Sequence, residues 1–235
     1  MSAAPGLRLR LPEGRPAPRL ADFRLAAFDM DSTLIAIECI DEIAACAGRG
    51  AEVAAITEAA MRGEITDFKD SLRRRLALLA GTPAGVLDQV ARERLRYNPG
   101  ARELCAALRG AGLKLLLVSG GFTFFTRIVA AELGMDFVRS NELEIEAGML
   151  TGRVVMQDWG DICDGAEKRR MLLACCATIG CRPDQAIAVG DGANDLSMMG
   201  AAGLSVAFHA KPRVREQAMV AIDSGGLEQL LDVLR

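Results

Sequence analysis

Histidine occurs once in this chain, at His209, which excludes any metal centre built on several imidazoles. His209 itself reads as a loop or packing residue. The seven cysteines, Cys39, Cys46, Cys105, Cys163, Cys175, Cys176 and Cys181, are odd in number and form no C-x-x-C pair. Most sit among Ala and Leu at helix-like spacing, which favours reduced, buried thiols over zinc or disulfides and points to a cytoplasmic protein. No apolar run approaches the roughly 18 residues needed to span a bilayer, and the N-terminus lacks the apolar centre of a secretory signal. A formal net charge of −3 provides no attraction for nucleic acid or an anionic membrane. Internal repeats are missing as well. These absences leave a globular chain, 51% hydrophobic over 235 residues, with one substantial core and room for a smaller insert. Composition says nothing of oligomeric state.

What is present begins with the run Leu25-Ala26-Ala27-Phe28, which has the length and apolarity of a buried strand. Asp29-Met30-Asp31-Ser32-Thr33 follows it. Open α/β sheets place their ligand sites at the carboxyl ends of strands. Residues two apart on an extended strand point the same way, so Asp29 and Asp31 share one small space and repel. The arrangement is tolerable if a cation lies between them or if one carboxyl holds a proton. Either case points to chemistry rather than packing.

Three further polar clusters follow. Ser119-Gly120-Gly121 ends the apolar strand expected over 113–118, Lys168 opens a helix expected over 166–179, and Gly190-Asp191-Gly192-Ala193-Asn194-Asp195 ends a strand over 186–189. Each suits phosphoryl transfer. The Ser119 hydroxyl and the backbone N–H groups of Gly120 and Gly121 fit an anion, and the helix after them adds a positive dipole. Lys168 supplies a compact cation, which Arg169 and Arg170 do not. Asp29 and Asp191 are hard oxygen ligands suited to Mg²⁺. Metal and lysine together would let an aspartate attack a phosphate dianion despite like charge.

Around these clusters the chain divides in three. Residues 1–21, rich in Arg and Pro, read as a flexible N-terminal tail. Residues 39–97 carry apolar positions at threes and fours broken by Gly48, Gly63 and Gly81-Thr82-Pro83, which predicts a small helical cap inserted after the first strand. Residues 22–38 and 98–235 alternate strand and helix, which predicts an α/β core, a Rossmann-like parallel sheet with helices on both faces. Alternation around Ala147-Gly148 predicts a hairpin within 141–157.

With these motifs the chain resembles the haloacid dehalogenase-like superfamily of aspartyl-phosphate phosphatases over about residues 24–225. A closer likeness, to members that act on O-phosphoserine, rests on FDMDSTLI with Glu38 and Ile40-Asp41, on Ala60-Met61 with Gly63-Glu64, and on Ser71-Leu72 with Arg75. It extends to Leu117-Val118-Ser119-Gly120-Gly121-Phe122-Thr123, to Val189 through Asp195, and to Ala210-Lys211-Pro212. The resemblance implies that Asp29 is the nucleophile and Asp31 the general acid and then the general base. It implies Mg²⁺ held by the side chains of Asp29 and Asp191 and the main-chain carbonyl of Asp31. Ser119, Gly120 and Lys168 would hold the phosphoryl group, Asn194 would contact phosphate or substrate, and Asp195 would support the metal or the lysine. In the cap, Glu38 would meet the substrate ammonium and Arg75 its carboxylate, while Met61 and Phe68 would wall the pocket. The implied reaction is hydrolysis of O-phospho-L-serine, the last step of serine synthesis. A relative acting on another small phosphomonoester, or a phosphotransferase, would share Asp29 and stays open here. A non-catalytic protein on the same fold is disfavoured, since Asp29, Asp31, Lys168 and Asp191 are all present.

Overall fold

The structure is a computed structural model that describes residues 6–61 and 64–234, with the side chain of Met61 outside the described part. Strands β1 (Leu7–Leu9) and β2 (Leu25–Phe28) come first. Four helices follow: α1 (Cys39–Cys46), α2 (Gly50–Met61), α3 (Phe68–Ala77) and α4 (Gly85–Glu93). Then come α5 (Ala101–Gly110), β3 (Lys114–Phe122), α6 (Thr123–Leu133) and β4 (Phe137–Asn141). The hairpin β5 (Leu143–Glu146) and β6 (Met149–Val154) leads to α7 (Gly165–Ile179). The chain finishes with β7 (Ala186–Gly190), α8 (Leu196–Met199), β8 (Leu204–Phe208), α9 (Pro212–Gln217), β9 (Val220–Ile222) and α10 (Leu230–Val233).

The order of the seven-stranded sheet is β1-β9-β8-β7-β2-β3-β4, parallel throughout except for β1. Its strands read as unbroken apolar runs because helices cover both faces. Alternate residues feed two cores. Ala26, Phe28, Leu115, Leu117, Ile187 and Val189 enter one, and Leu25, Ala27, Leu116, Val118, Ala186 and Ala188 enter the other. The expected α/β class is the class found. Because β2 lies between β3 and β7, with Phe28 opposite both Leu117 and Val189, the residues just beyond these three ends come together. No described helix is long and apolar enough to cross a membrane.

Helices α1 to α4 fill the segment expected to be helical. Cys39, Ile40, Ile43 and Ala44 of α1 and Val86, Leu87 and Val90 of α4 recur at threes and fours and are buried. The hairpin forms where expected. Positive φ at Ala147 (49°) and Gly148 (78°) makes the mirror-image turn that matches strand twist. The hairpin does not join the large sheet but bonds to the cap. Gly81 N–H donates to Leu150 O, Leu150 N–H to Thr82 O and Ala84 N–H to Gly148 O, each at 2.8 Å.

Residues 6–21 differ from the flexible tail expected of them. Leu7, Arg8 and Leu9 pair antiparallel with Ile222, Ala221 and Val220. Arg10 N–H donates to Met219 O and Asp223 N–H to Gly6 O, both at 2.7 Å. Arg8 pairs with Asp223 at 2.6 Å, and Arg15 donates to the Gly203 carbonyl. Main-chain pairing on an existing sheet edge needs little from composition, and Arg8 and Arg15 add bonds to the core although the Arg8 side chain stays more than half exposed. Deleting residues 1–10 is therefore expected to remove about 2–3 kcal/mol of stability. At about 2–4 °C per kcal/mol for a domain of this size, the thermal midpoint followed by circular dichroism should fall by about 5–10 °C. An unchanged midpoint would show that the edge strand adds nothing.

Candidate active site

The chain turns sharply after β2. The N–H groups of Thr33, Leu34 and Ile35 all donate to Met30 O, and Ser32 sits at a φ of 56°, a conformation rare for a residue with a side chain. Asn98 pins the loop from outside, its Nδ2 donating to the carbonyls of Ser32, Thr33 and Ile35 at 3.3, 2.8 and 3.2 Å. The loop points Asp29 into the cleft between β3 and β7.

Lys168, in the first turn of α7, is fully buried and reaches two carboxylates. Its Nζ donates to Asp29 Oδ1 at 2.6 Å and to Asp195 Oδ1 at 2.7 Å. Asp164 caps α7 by accepting from Glu167 N–H at 2.9 Å. The other Asp195 oxygen accepts from Asp191 N–H at 3.2 Å and Gly192 N–H at 3.0 Å, which shapes the loop after β7. Asp195 thus serves the lysine and the loop. One oxygen from each of Asp29, Asp191 and Asp195 lies within 4.8 Å of the others. The Thr33 hydroxyl donates to Asp191 Oδ1 at 3.4 Å.

Charge does not balance in this cluster. Burial pushes the Asp29 carboxyl well above the ordinary carboxylate range, Asp195 and Asp191 add to the rise, and Lys168 opposes it. Burial, then Asp195 and Glu38, lift Asp191 to about 7. Burial, then Glu38, lift Asp31 to about 7 against the bonds from Cys39. Lys168 stays charged because Asp195 and Asp29 outweigh its desolvation. A cluster of three close carboxylates facing one lysine, with hard oxygen donors, fits a divalent cation.

Ser119 is buried at the end of the straight part of β3, and its Oγ accepts from Gly121 N–H at 2.9 Å. Two glycines here sit close to neighbouring side chains. A β-carbon on Gly121 would lie 2.6 Å from Asp31 Oδ2, and one on Gly120 would lie 2.8 Å from Phe68 Cζ. Asn141, also fully buried, donates from Nδ2 to Gly120 O and accepts at Oδ1 from Cys163 N–H, both at 2.7 Å. It ties the Ser119 loop to the segment that leads into α7.

Helices α1 to α3 face these loops across one cavity. Asp67 caps α3, which brings Phe68 down on Gly120 and places Arg75 two turns further along. Lys69 pairs with Asp161 at 3.2 Å and Asp164 at 3.6 Å, and Arg73 also pairs with Asp161, so α3 is moored to the segment before α7. Such half-exposed pairs are weak, about 0–1 kcal/mol each. Glu38, at the start of α1, accepts from the Ser32 hydroxyl at 2.6 Å.

Of the residues expected from sequence, Asp29, Asp31, Ser119, Gly120, Asp191 and Asn194 line the floor of one cavity of about 1070 Å³, and Glu38, Phe68 and Arg75 line its cap side. Lys168 and Asp195 lie behind Asp29, and the side chain of Met61 falls outside the described residues. Sequence reasoning assigned no role to Asn141, Lys211 or Asp41. Lys211 faces the cavity and donates through its backbone N–H to Asp191 O at 3.3 Å. The Ala210-Lys211-Pro212 and Ile40-Asp41 strings were the available signals for two of them; a lone Asn between strands offers none.

Comparison with known proteins agrees with this geometry. The family model of haloacid dehalogenase-like hydrolases matches residues 26–200. A curated phosphoserine phosphatase of Polaromonas sp. (strain JS666 / ATCC BAA-500) is 65% identical over 232 residues, covering 99% of this chain and 98% of its own. A structure of a phospho-aspartyl intermediate analogue of phosphoserine phosphatase superposes with a TM-score of 0.83 at 37% identity, over 91% of this chain and 99% of that one. A substrate-bound phosphoserine phosphatase complex superposes equally well, at 0.83 and 36% identity over 91% and 99% of the two chains.

Proposed function

The chain belongs to the haloacid dehalogenase-like hydrolase family, and from that membership we propose that it hydrolyses O-phospho-L-serine to L-serine and phosphate by way of an aspartyl-phosphate on Asp29. One observation carries the reading. A single cavity joins a buried, lysine-held aspartate at its floor to a carboxylate and a guanidinium, Glu38 and Arg75, on its cap side. Phosphoserine has a phosphate at one end and an ammonium and a carboxylate at the other, so its charges complement the two ends.

In this mechanism Asp29 Oδ attacks phosphorus and the ester bond to the serine oxygen breaks. The protonated Asp31 carboxyl gives its proton to the leaving oxygen. Asp31, now a carboxylate, takes a proton from water, whose oxygen attacks phosphorus and releases phosphate and Asp29. A carboxyl lifted to about 7 gives up and takes back a proton readily near neutrality. Lys168 holds Asp29 oriented and helps offset the dianion's charge, Ser119 Oγ and Gly120 N–H bind the phosphoryl oxygens, and Asn194 lies beside them. Mg²⁺ would be held by the Asp29 and Asp191 side chains and the Asp31 carbonyl, and supplies neutralisation of phosphate charge when bound. Glu38 takes the ammonium, Arg75 the carboxylate, and Phe68 walls the space between.

The test is phosphate release from L- and D-phosphoserine, phosphothreonine, phosphoethanolamine, phosphoglycolate and a sugar phosphate, with Mg²⁺ and with EDTA. L-phosphoserine should be preferred and EDTA should abolish release. A different favourite would overturn the Glu38 and Arg75 assignment while keeping Asp29. No release from any member would shift the reading to a phosphotransferase. Arg75→Ala should raise KM for phosphoserine by about 10–100-fold with little change for p-nitrophenyl phosphate, which has no carboxylate. Equal effects on both would make Arg75 structural.

A further inference from the structure

Among the described residues, Glu38, Asp41 and Arg75 line the cap side of the cavity together with Asp67, which caps α3. Glu38 is engaged by the Ser32 hydroxyl at 2.6 Å. Asp41 lies in the first turn of α1, just after Glu38 at its N-cap, and both line the cavity. Asp41 Oδ1 is shielded from solvent, yet among the described residues no donor reaches it. A buried carboxylate oxygen without a donor is unfavourable and leaves room for one. Arg75 is the complementary case. Among the described residues its hydrogen bonding amounts to one long contact, Nε to Ser71 O at 3.4 Å, so four of its five N–H donors are uncommitted. The two groups already sense each other. Burial disfavours the Arg75 cation and Asp41 opposes this more than Glu38 or Asp31 does, while burial disfavours the Asp41 anion and Arg75 opposes it.

We propose that Asp41 is a positioning residue that accepts from the Arg75 guanidinium and holds its fork turned toward the carboxylate of the substrate. This rests on the phosphoserine reading above. A guanidinium can serve two carboxylates at once, one along each edge. A fork with no fixed acceptor must lose its rotamer freedom when substrate binds, which weakens binding without touching the chemistry at phosphorus. Glu38 is less suited to the task, because Ser32 already occupies one of its oxygens and its other duty is the ammonium.

The experiment compares unmodified enzyme with Asp41→Asn on phosphoserine, phosphoglycolate, which keeps the carboxylate, and phosphoethanolamine, which keeps the ammonium alone. KM for the two carboxylates should rise about tenfold relative to that for phosphoethanolamine, with the kcat ratios between substrates preserved. A rise confined to phosphoethanolamine and phosphoserine would make Asp41 an ammonium ligand and overturn the inference, as would an equal rise for all three. The same change made in an Arg75→Ala background should add almost nothing for phosphoserine; additive effects would show that the two residues act independently. If Asp41→Asn folds poorly by circular dichroism, Asp41→Glu supplies the second test, and retained preference for the two carboxylate substrates is expected. An unmodified enzyme with no preference for phosphoserine would remove the underlying reading itself, a result separable from one in which that preference exists and Asp41→Asn leaves it intact.

Discussion

Asp29→Asn is expected to lower turnover by about a millionfold, the scale seen when a covalent nucleophile is removed from a triad enzyme. The amide oxygen can still accept the Lys168 bond now made at 2.6 Å, so the fold should survive with its thermal midpoint within a few degrees. What disappears is the phosphoenzyme. Acid-quenched protein from radiolabelled phosphoserine should carry label that hydroxylamine releases, and the variant should carry none. Turnover within about tenfold of the unmodified enzyme would mean that another group attacks phosphorus. The amide is the informative substitution, because it removes the attacking charge while keeping shape and most of the hydrogen bonding.

The second large effect concerns Lys168, whose ammonium is fully buried between Asp29 and Asp195. Removing one partner of a buried ionic group leaves the others uncompensated, at about 3–5 kcal/mol. Lys168→Met measured in EDTA should therefore melt about 10 °C lower and release no phosphate when Mg²⁺ is restored. The sign with pH follows from Asp29. Its folded carboxyl already titrates above the ordinary range because of burial, and losing Lys168 raises it further. The folded variant then holds protons that the unfolded chain has released, so stability falls as pH rises above the ordinary carboxylate range. The deficit should therefore widen as pH rises through the range in which Asp29 of the unmodified protein has released its proton and that of the variant still holds it. A deficit that stays constant would show that Lys168 acts through packing alone.

The readable part of the molecule was the part written locally. A four-residue apolar strand followed by Asp-x-Asp, and Gly-rich loops after two further strands, announce their own geometry, and the sheet order then brings them together. Lys168 was harder, because the irregular stretch Asp158-Trp159-Gly160-Asp161 obscures its register, whereas the Nζ distances to Asp29 and Asp195 leave no ambiguity about which cation faces them. The edge strand Leu7–Leu9 was hidden by its composition, since its order comes from Val220–Ile222 two hundred residues away. Asn141 was hidden for the same reason, as both of its bonds go to segments about twenty residues distant. The hairpin could be read from Ala147-Gly148, but its attachment to the cap could not, because Thr82 and Leu150 meet only in three dimensions.

Helix α3 touches both ends of the ligand space. Phe68 rests on Gly120 at the phosphoryl end, and Arg75 faces the cavity at the other. Seven residues of α-helix set these points about 10 Å apart along one rigid axis. On the phosphoserine reading, the helix would fix the spacing between the phosphoryl end and the carboxylate end of the substrate. A β-carbon at position 120 would meet the tip of the Phe68 ring at 2.8 Å, so the ring would have to turn aside before the helix itself is pressed. On the phosphoserine reading, Phe68 at one end of α3 and Arg75 at the other would bound the substrate together, so a search for altered length preference has reason to include Phe68 as well as Arg75.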